Sequence, residues 1–246
     1  MAGIFLIYVI GDLHLSLAVN KPMDVFGGRW QNYMQKLNDG LSLLTHYDSL
    51  VLCGDTSWAM NLAQALSDFQ YIHNYDCQAI YLVKGNHDYW WETANKMQNF
   101  WNEHGLYKFK LLHNNAHICN DYVLCGTRGW FYEEDRGEHS AKMMNREFLR
   151  LKASLEVAKK HSDKELICFL HYPPIIDNYC CYEIVDLMRQ YGVSRCFYGH
   201  LHGKGCNRAI NGVHEGINYQ LVSADWLNFR PMALTNTEYH DIIPRE

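Results

Sequence analysis

Five short polar clusters carry residue types that bind metal ions: Asp12-Leu13-His14, Gly54-Asp55, Gly85-Asn86-His87-Asp88, His171 and Gly199-His200-Leu201-His202. Carboxylates, imidazoles and amide oxygens are hard or borderline donors that suit Mn²⁺, Fe²⁺ and Zn²⁺. In Asp12-x-His14 and His200-x-His202, alternate side chains of an extended segment point the same way, so each pair can reach one ion. Asp55 follows a glycine just after a strand-like run, where a carboxylate can bridge two ions. Asn86 offers a neutral amide oxygen at a second such position, and His171 closes another strand. Together the clusters could hold two metal ions at the ends of a sheet and point to hydrolytic chemistry.

Each cluster also has an ordinary explanation. Asp12 could cap or turn the chain, and Gly54-Asp55-Thr56 could be a turn or a helix N-cap. Asn86-His87-Asp88 reads equally as a turn. His171, before Pro173-Pro174, could be a packed or surface histidine. The joint occurrence favours a shared site, because four of the five follow apolar runs.

Those runs must position the clusters. Residues 4–10, 50–53, 79–83, 166–170 and 194–198 read as buried strands. Trp30, Tyr33, Leu37, Leu41 and Leu44 recur at helical spacing. Residues 61–73, 91–101 and 180–190 also look helical. Met144, Phe148, Leu151, Leu155 and Ala158 form the clearest amphipathic stripe. Residues 117–125 read as one strand, followed by a polar segment with Gly126, Gly129 and Gly137. The stretch to about residue 224, around Asn211-Gly212 and Gly216, reads as antiparallel strands. Alternating strands and helices indicate an α/β fold with its site at the carboxyl edge of a sheet. The late hairpins argue against a simple doubly wound sheet. The expectation is a four-layer αββα sandwich, with two mixed β-sheets flanked by helices.

The chain has 246 residues, of which 48% are hydrophobic, and no long Pro/Gly/Ser stretch divides it. A single domain over 1–246 is therefore expected. The net charge is −5 and no basic run proposes a nucleic-acid surface, so no nucleic-acid partner is expected. The nine cysteines include no C-x-x-C pair, which fits buried free thiols in a reducing cytoplasm better than a disulfide framework. The apolar start lacks a basic leader and runs directly into Gly11-Asp12. No apolar stretch reaches about 18 residues, so no membrane span is expected.

The order D-x-H, G-D, G-N-H-(D/E), H, G-H-x-H resembles the calcineurin-like metallophosphoesterase superfamily, and the five blocks occur here in that order between residues 12 and 202. Phe26-Gly27-Gly28-Arg29-Trp30, Gly126-Thr127-Arg128-Gly129-Trp130 and Ser223-Ala224-Asp225-Trp226 are similar to a bacterial-type branch of phosphohydrolases. The resemblance implies that Asp12, His14 and His202 hold one metal and that Asn86, His171 and His200 hold the other, with Asp55 bridging. It makes His87 the non-ligand histidine beside the leaving group, with Asp88 orienting it. The implied cofactors are two divalent or transition metal ions, Mn²⁺, Fe²⁺/Fe³⁺ or Zn²⁺. Two such ions about 3.5–4 Å apart can clamp both oxygens of an in-line displacement and lower the pKa of a bridging water. The implied partner is a small-molecule phosphoester. A phosphodiester or nucleotide-like substrate is favoured, because protein phosphatases of the superfamily usually carry Glu where Asp88 stands. A phosphomonoesterase, a phosphoprotein phosphatase and a non-catalytic scaffold are the alternatives, the last disfavoured by the intact set of ligand positions.

Other residues leave two readings open. Arg128 could grip a substrate phosphate or carboxylate, or make a structural salt bridge. Arg29 is a weaker candidate of the same kind. Asp225 is expected to serve a turn or cap, and His139 to lie on the surface. Tyr89-Trp90-Trp91 and Trp130-Phe131-Tyr132 could wall a pocket or pack the core. No G-x-S-x-G elbow, C-x₅-R loop or Walker sequence supports another chemistry.

Overall fold

A computed structural model describes residues 5–130, 138–161 and 163–234. The strands in chain order are β1 (Ile7–Ile10), β2 (Ser49–Cys53), β3 (Ala79–Val83), β4 (Phe109–Leu111), β5 (Ala116–Cys119), β6 (Tyr122–Thr127), β7 (Glu165–Leu170), β8 (Ile175–Ile176), β9 (Tyr179–Cys180), β10 (Arg195–Tyr198), β11 (Gly212–His214), β12 (Ile217–Leu221) and β13 (Met232–Leu234). The α-helices are α1 (Tyr33–Leu41), α2 (Leu62–His73), α3 (Ala94–Glu103), α4 (Glu138–Ala158) and α5 (Tyr182–Tyr191).

One sheet has the order β13-β1-β2-β3-β4 and the other β11-β12-β10-β7-β6-β5. β1 to β4 run parallel, as do β6, β7, β10 and β12, while β13, β11 and β5 add antiparallel edges. The alternation of side chains assigns the layers. In β2, Val51 and Cys53 point between the sheets, and in β7 Ile167 and Phe169 meet them there. Leu50 and Leu52 face the cluster built by Leu37, Phe69, Met97 and Trp101 of α1, α2 and α3. Leu166, Cys168 and Leu170 face the cluster containing Leu151 and Leu155 of α4 and Ile184 and Met188 of α5. Strands buried on both faces read as unbroken apolar runs, which makes them legible in the sequence. The result is the expected αββα sandwich of two mixed sheets.

Several elements differ from expectation. Residues 117–125 do not form one strand: β5 and β6 make an antiparallel hairpin that turns at Asn120, whose φ is 54°. Asn tolerates this left-handed conformation, so the Asn120-Asp121 pair punctuates an otherwise continuous β pattern. The stripe from Trp30 to Leu44 is only partly helical. Gly28–Trp30 is a separate 3₁₀ turn, and Asn32, at φ 56°, starts α1 afresh at Tyr33. The expected helix over 91–101 starts at Ala94, because Thr93 accepts the N–H of Lys96 as its cap. The late hairpin exists, but β12 also pairs parallel with β10 and completes the second sheet. β4, the β8–β9 hairpin and β13 are too short to carry a periodic signal. Gly137 and Phe131-Tyr132 lie outside the described residues.

All nine cysteines are free thiols, and all but Cys180 are buried. Among the described residues no helix is long and apolar enough to cross a membrane.

Candidate metal centre

The ligand segments extend directly from the carboxyl ends of β1, β2, β3, β7 and β10. Past β1 and β2 the backbones remain paired: Asp12 N–H donates to Gly54 O at 2.8 Å and His14 N–H to Asp55 O at 2.9 Å. The two sheets are tied at the same level, where Gly11 N–H donates to Val222 O at 2.7 Å and Ala224 N–H donates to Gly11 O at 2.9 Å. Asp12, His14, Asp55 and His200 all adopt positive φ, between 48° and 73°. Such backbone costs about 1–3 kcal/mol per residue, and its concentration at these positions marks a constrained site. Gly85 and Gly199 are required by close approach: a Cβ would run into the Asp55 amide and carboxylate at the first, and into the Asp12 carboxylate at the second.

The arrangement brings the distant segments together. Asp12, His14 and His202 each present a donor atom within 4.8 Å of the others, and Asp12, Asp55 and His171 do the same. His202 Nε2 lies 3.3 Å from both Asp12 Oδ1 and His14 Nε2. Asn86 Oδ1 lies 2.6 Å from His171 Nε2 and 3.0 Å from His200 Nδ1. Between these groups, Asp55 Oδ2 stands 3.8 Å from His14 Nε2 and 3.6 Å from His171 Nε2.

Outer contacts decide which ring atoms face inward. His171 Nδ1 lies 3.0 Å from Cys53 O, and a carbonyl only accepts, so Nδ1 carries the hydrogen. In the neutral ring, Nε2 then aims its lone pair at Asn86 Oδ1, another acceptor. His202 Nδ1 likewise donates to Asp225 Oδ1 at 3.0 Å, leaving Nε2 towards Asp12 and His14. Acceptors converging on acceptors are repulsive unless a metal ion or a proton lies among them. The donor set therefore fits metal ions, with a carboxylate–histidine pair holding one ligand in place.

Without a metal ion, protons on His202 and Asp55 relieve part of this repulsion. Burial raises Asp12, but the His202, His171 and His14 rings outweigh it and hold Asp12 below the usual carboxylate range. Burial and the Asp12 charge push Asp55 the other way, so the two buried carboxyls cannot both ionise easily. Burial lowers His202, yet Asp12 and Asp225 hold it up to about 10. Burial and the His171 ring bring His200 down to about 3.

His87 lies beside this set without joining it. Its backbone N–H donates to Asp55 Oδ1 at 2.7 Å, while its ring packs 4.5 Å from Trp58 and 5.8 Å from His14. The expectation that Asp88 orients this ring is corrected. Asp88 is buried and accepts five N–H donors: Asp55 N at 3.0 Å and Gly85 N at 2.7 Å on Oδ2, with Thr56 N at 2.9 Å, Ser57 N at 3.3 Å and Trp90 Nε1 at 3.1 Å on Oδ1. Its lone pairs are thus engaged in tying the β2 loop to the β3 loop. The partner of His87 Nδ1 is Tyr89 Oη, at 3.3 Å.

Arg128 does not reach the metal ligands with its side chain. Its Nη2 donates to Glu147 Oε1 at 3.2 Å, the structural salt bridge that the sequence leaves open, and its carbonyl accepts the N–H groups of His171 and Tyr172 at 3.1 and 2.8 Å. Arg29 Nη1 points to the carbonyl of Asp225 at 3.5 Å. His139 is exposed. Asp225, expected to serve a turn or cap, contacts His202 and accepts the N–H of Gly203 at 2.8 Å. Nothing local in the sequence links it to a histidine 23 positions earlier. Trp58 also joins the site without a sequence signal, stacking 4.8 Å from His14, and Trp30, which closes the Phe26-Gly27-Gly28-Arg29-Trp30 segment, lies 5.6 Å from His202.

The calcineurin-like phosphoesterase family model matches residues 5–204. No curated protein matches the chain. Among solved structures, the purple acid phosphatase PPD1 from yellow lupin (Lupinus luteus) seeds shares 12% identity at a TM-score of 0.52, covering 98% of this chain and 47% of that one. The protein of unknown function AQ665 from Aquifex aeolicus shares 14% identity at a TM-score of 0.47, covering 94% of this chain and 96% of that one. The protein TT1561 of Thermus thermophilus shares 16% identity at a TM-score of 0.47, covering 80% of this chain and 82% of that one. With the family model spanning the five ligand segments and those segments converging as described, the chain belongs to the calcineurin-like phosphoesterases.

Proposed function

We propose that the 246 residues work as one domain that hydrolyses a small phosphodiester or nucleotide-like substrate. In this reading Asp12, His14 and His202 hold one ion, Asn86, His171 and His200 hold the other, and Asp55 serves both. The observation that carries it is the place of Asp55 Oδ2, 3.8 Å from a donor of the first set and 3.6 Å from a donor of the second. Mn²⁺, Fe²⁺/Fe³⁺ and Zn²⁺ all suit these donors. When bound, such a pair supplies Lewis acidity to the phosphoryl oxygens and activates water.

The chain's own groups do the rest. Asp225 keeps His202 Nε2 turned inward, and Cys53 O does the same for His171. Tyr89 Oη lies 3.3 Å from His87 Nδ1, and in the tautomer in which the phenol donates there the Nε2–H can hydrogen-bond the departing oxygen. Burial and the His171 ring lower the His87 pKa, which favours the neutral imidazole at neutral pH. Trp58 and Trp30 exclude water from one side of the centre. Hydrolysis of bis-p-nitrophenyl phosphate by Mn²⁺-loaded protein tests the reading. Turnover that disappears in His87→Ala supports it, whereas no turnover with any phosphoester contradicts it.

A further inference from the structure

Three basic side chains gather on the Asn86–His171 side of the centre, and the mechanism uses none of them. Lys84 immediately precedes Gly85-Asn86. Arg128 shares its carbonyl with the N–H groups of His171 and Tyr172. Arg150, on α4, meets Arg128 at the same Glu147 oxygen, and Lys84 lies in the electrostatic field of both arginines. His113, just past β4, faces the same group.

Among the described residues, the cluster's carboxylates are already engaged. Glu147, fully buried, accepts Arg128 Nη2 at 3.2 Å and Arg150 Nη1 at 2.7 Å on Oε1, and Thr127 Oγ1 at 2.8 Å on Oε2. Both its oxygens are therefore engaged. Asp88, the other carboxylate acting on Lys84, is already surrounded by N–H donors. Among the described residues, the Lys84 ammonium has no hydrogen bond or ion pair, and Arg128 Nε is buried without a partner. Three cations beside Glu147 and Asp88, two acidic side chains whose oxygens are already engaged, repel one another in this partly desolvated place and would be eased by a further anion. Guanidinium groups and a free ammonium are the donors that phosphate oxygens select.

We propose that Lys84, Arg128 and Arg150 form a subsite for a second phosphate on the substrate, beside the Asn86–His171 half of the centre. The substrate class is then a small molecule bearing two phosphate groups, one presented to the metal ligands and the other held by this cluster. The inference rests on the phosphoester reading given above.

The test compares two ligands that differ by one phosphate, adenosine 3′,5′-bisphosphate and adenosine 5′-monophosphate. Both are titrated calorimetrically into Mn²⁺-loaded His87→Ala protein, so that neither is consumed. The bisphosphate should bind about tenfold tighter or better. Adding Lys84→Gln, or separately Arg150→Gln, should bring the affinity ratio to within about threefold of unity. Lys142→Gln, far out on α4 at an exposed ion pair with Glu138, should leave the ratio unchanged. A ratio near unity in the parent overturns the inference. So does a ratio indifferent to both substitutions, or one lowered equally by Lys142→Gln. Turnover of bis-p-nitrophenyl phosphate with a ratio of unity would refute the subsite alone. A cluster-dependent ratio without any turnover would refute the catalytic reading alone.

Discussion

Asp225 Oδ1 accepts a hydrogen bond from His202 Nδ1 at 3.0 Å, and this contact fixes which face of the imidazole meets Asp12 and His14. The carboxylate also grips the next backbone N–H, of Gly203, so the loop after β10 is pinned at two points. Asp225 comes from the chain beyond β12, which ties a late segment to ligands set by β1 and β10.

Replacing Asp225 with Asn should weaken metal binding by about 10- to 100-fold, the usual cost of losing a carboxylate behind a ligating histidine. Competition with a metallochromic chelator measures it. The fold should persist, because the amide still accepts the Gly203 N–H through its oxygen. Unchanged metal affinity would show that the contact does not steer His202.

Asp88→Asn should act on stability. An amide offers only one acceptor oxygen to five N–H donors and turns its own NH₂ towards the rest. The loss should be about 3 kcal/mol, since several charge-assisted hydrogen bonds go together. Thermal unfolding reads it. A variant that lost turnover at unchanged melting temperature would restore Asp88 to the role of orienting His87.

Tyr89→Phe removes the hydroxyl at His87 Nδ1 and leaves the metal ligands alone. The account predicts kcat lowered about tenfold with metal content intact, the size expected for a weakened hydrogen bond to the departing oxygen. Equal rates for Tyr89→Phe and the parent would leave the His87 tautomer to other forces.

The metal-free protein should lose stability as pH rises from about 6.5 to about 10. His202 is raised above its ordinary value of 6.5 to about 10 by Asp12 and Asp225, which outweigh burial. Its contribution is therefore full below the unfolded value and fades as the folded group deprotonates. Asp55, raised by burial and Asp12, has the same sign, while Asp12, lowered, contributes constantly across this window. A cation needs the neutral Nε2, so its apparent affinity should climb over the same range, with protons released on binding. Calorimetry in buffers of different ionisation enthalpy counts those protons, and none released at about pH 7.5 would contradict the assignment.

Much of this is legible from residue order because doubly buried parallel strands write themselves as apolar runs, and β1, β2, β3, β7 and β10 each lead into a ligand. The core of β2, Leu50 to Cys53, and its terminal Asp55 are the clearest case. What escapes is set by tertiary contact. Asp88 and Arg128 have side chains that chemistry can use in either of two ways, and only packing shows that backbone amides claim the first and Glu147 the second. Asp225 and Trp58 gain their meaning from histidines distant in sequence. β13 pairs with β1 across the whole chain, and three residues carry no periodicity to announce it.

The most direct test is the Mn²⁺ content per chain of the parent, Asp55→Ala and His87→Ala proteins after saturation and desalting. The account predicts two ions in the parent and in His87→Ala, which keeps its metals while losing turnover, and a joint loss of metal and activity in Asp55→Ala. Equal metal loss in the two variants, or a parent that retains fewer than two ions, would contradict it.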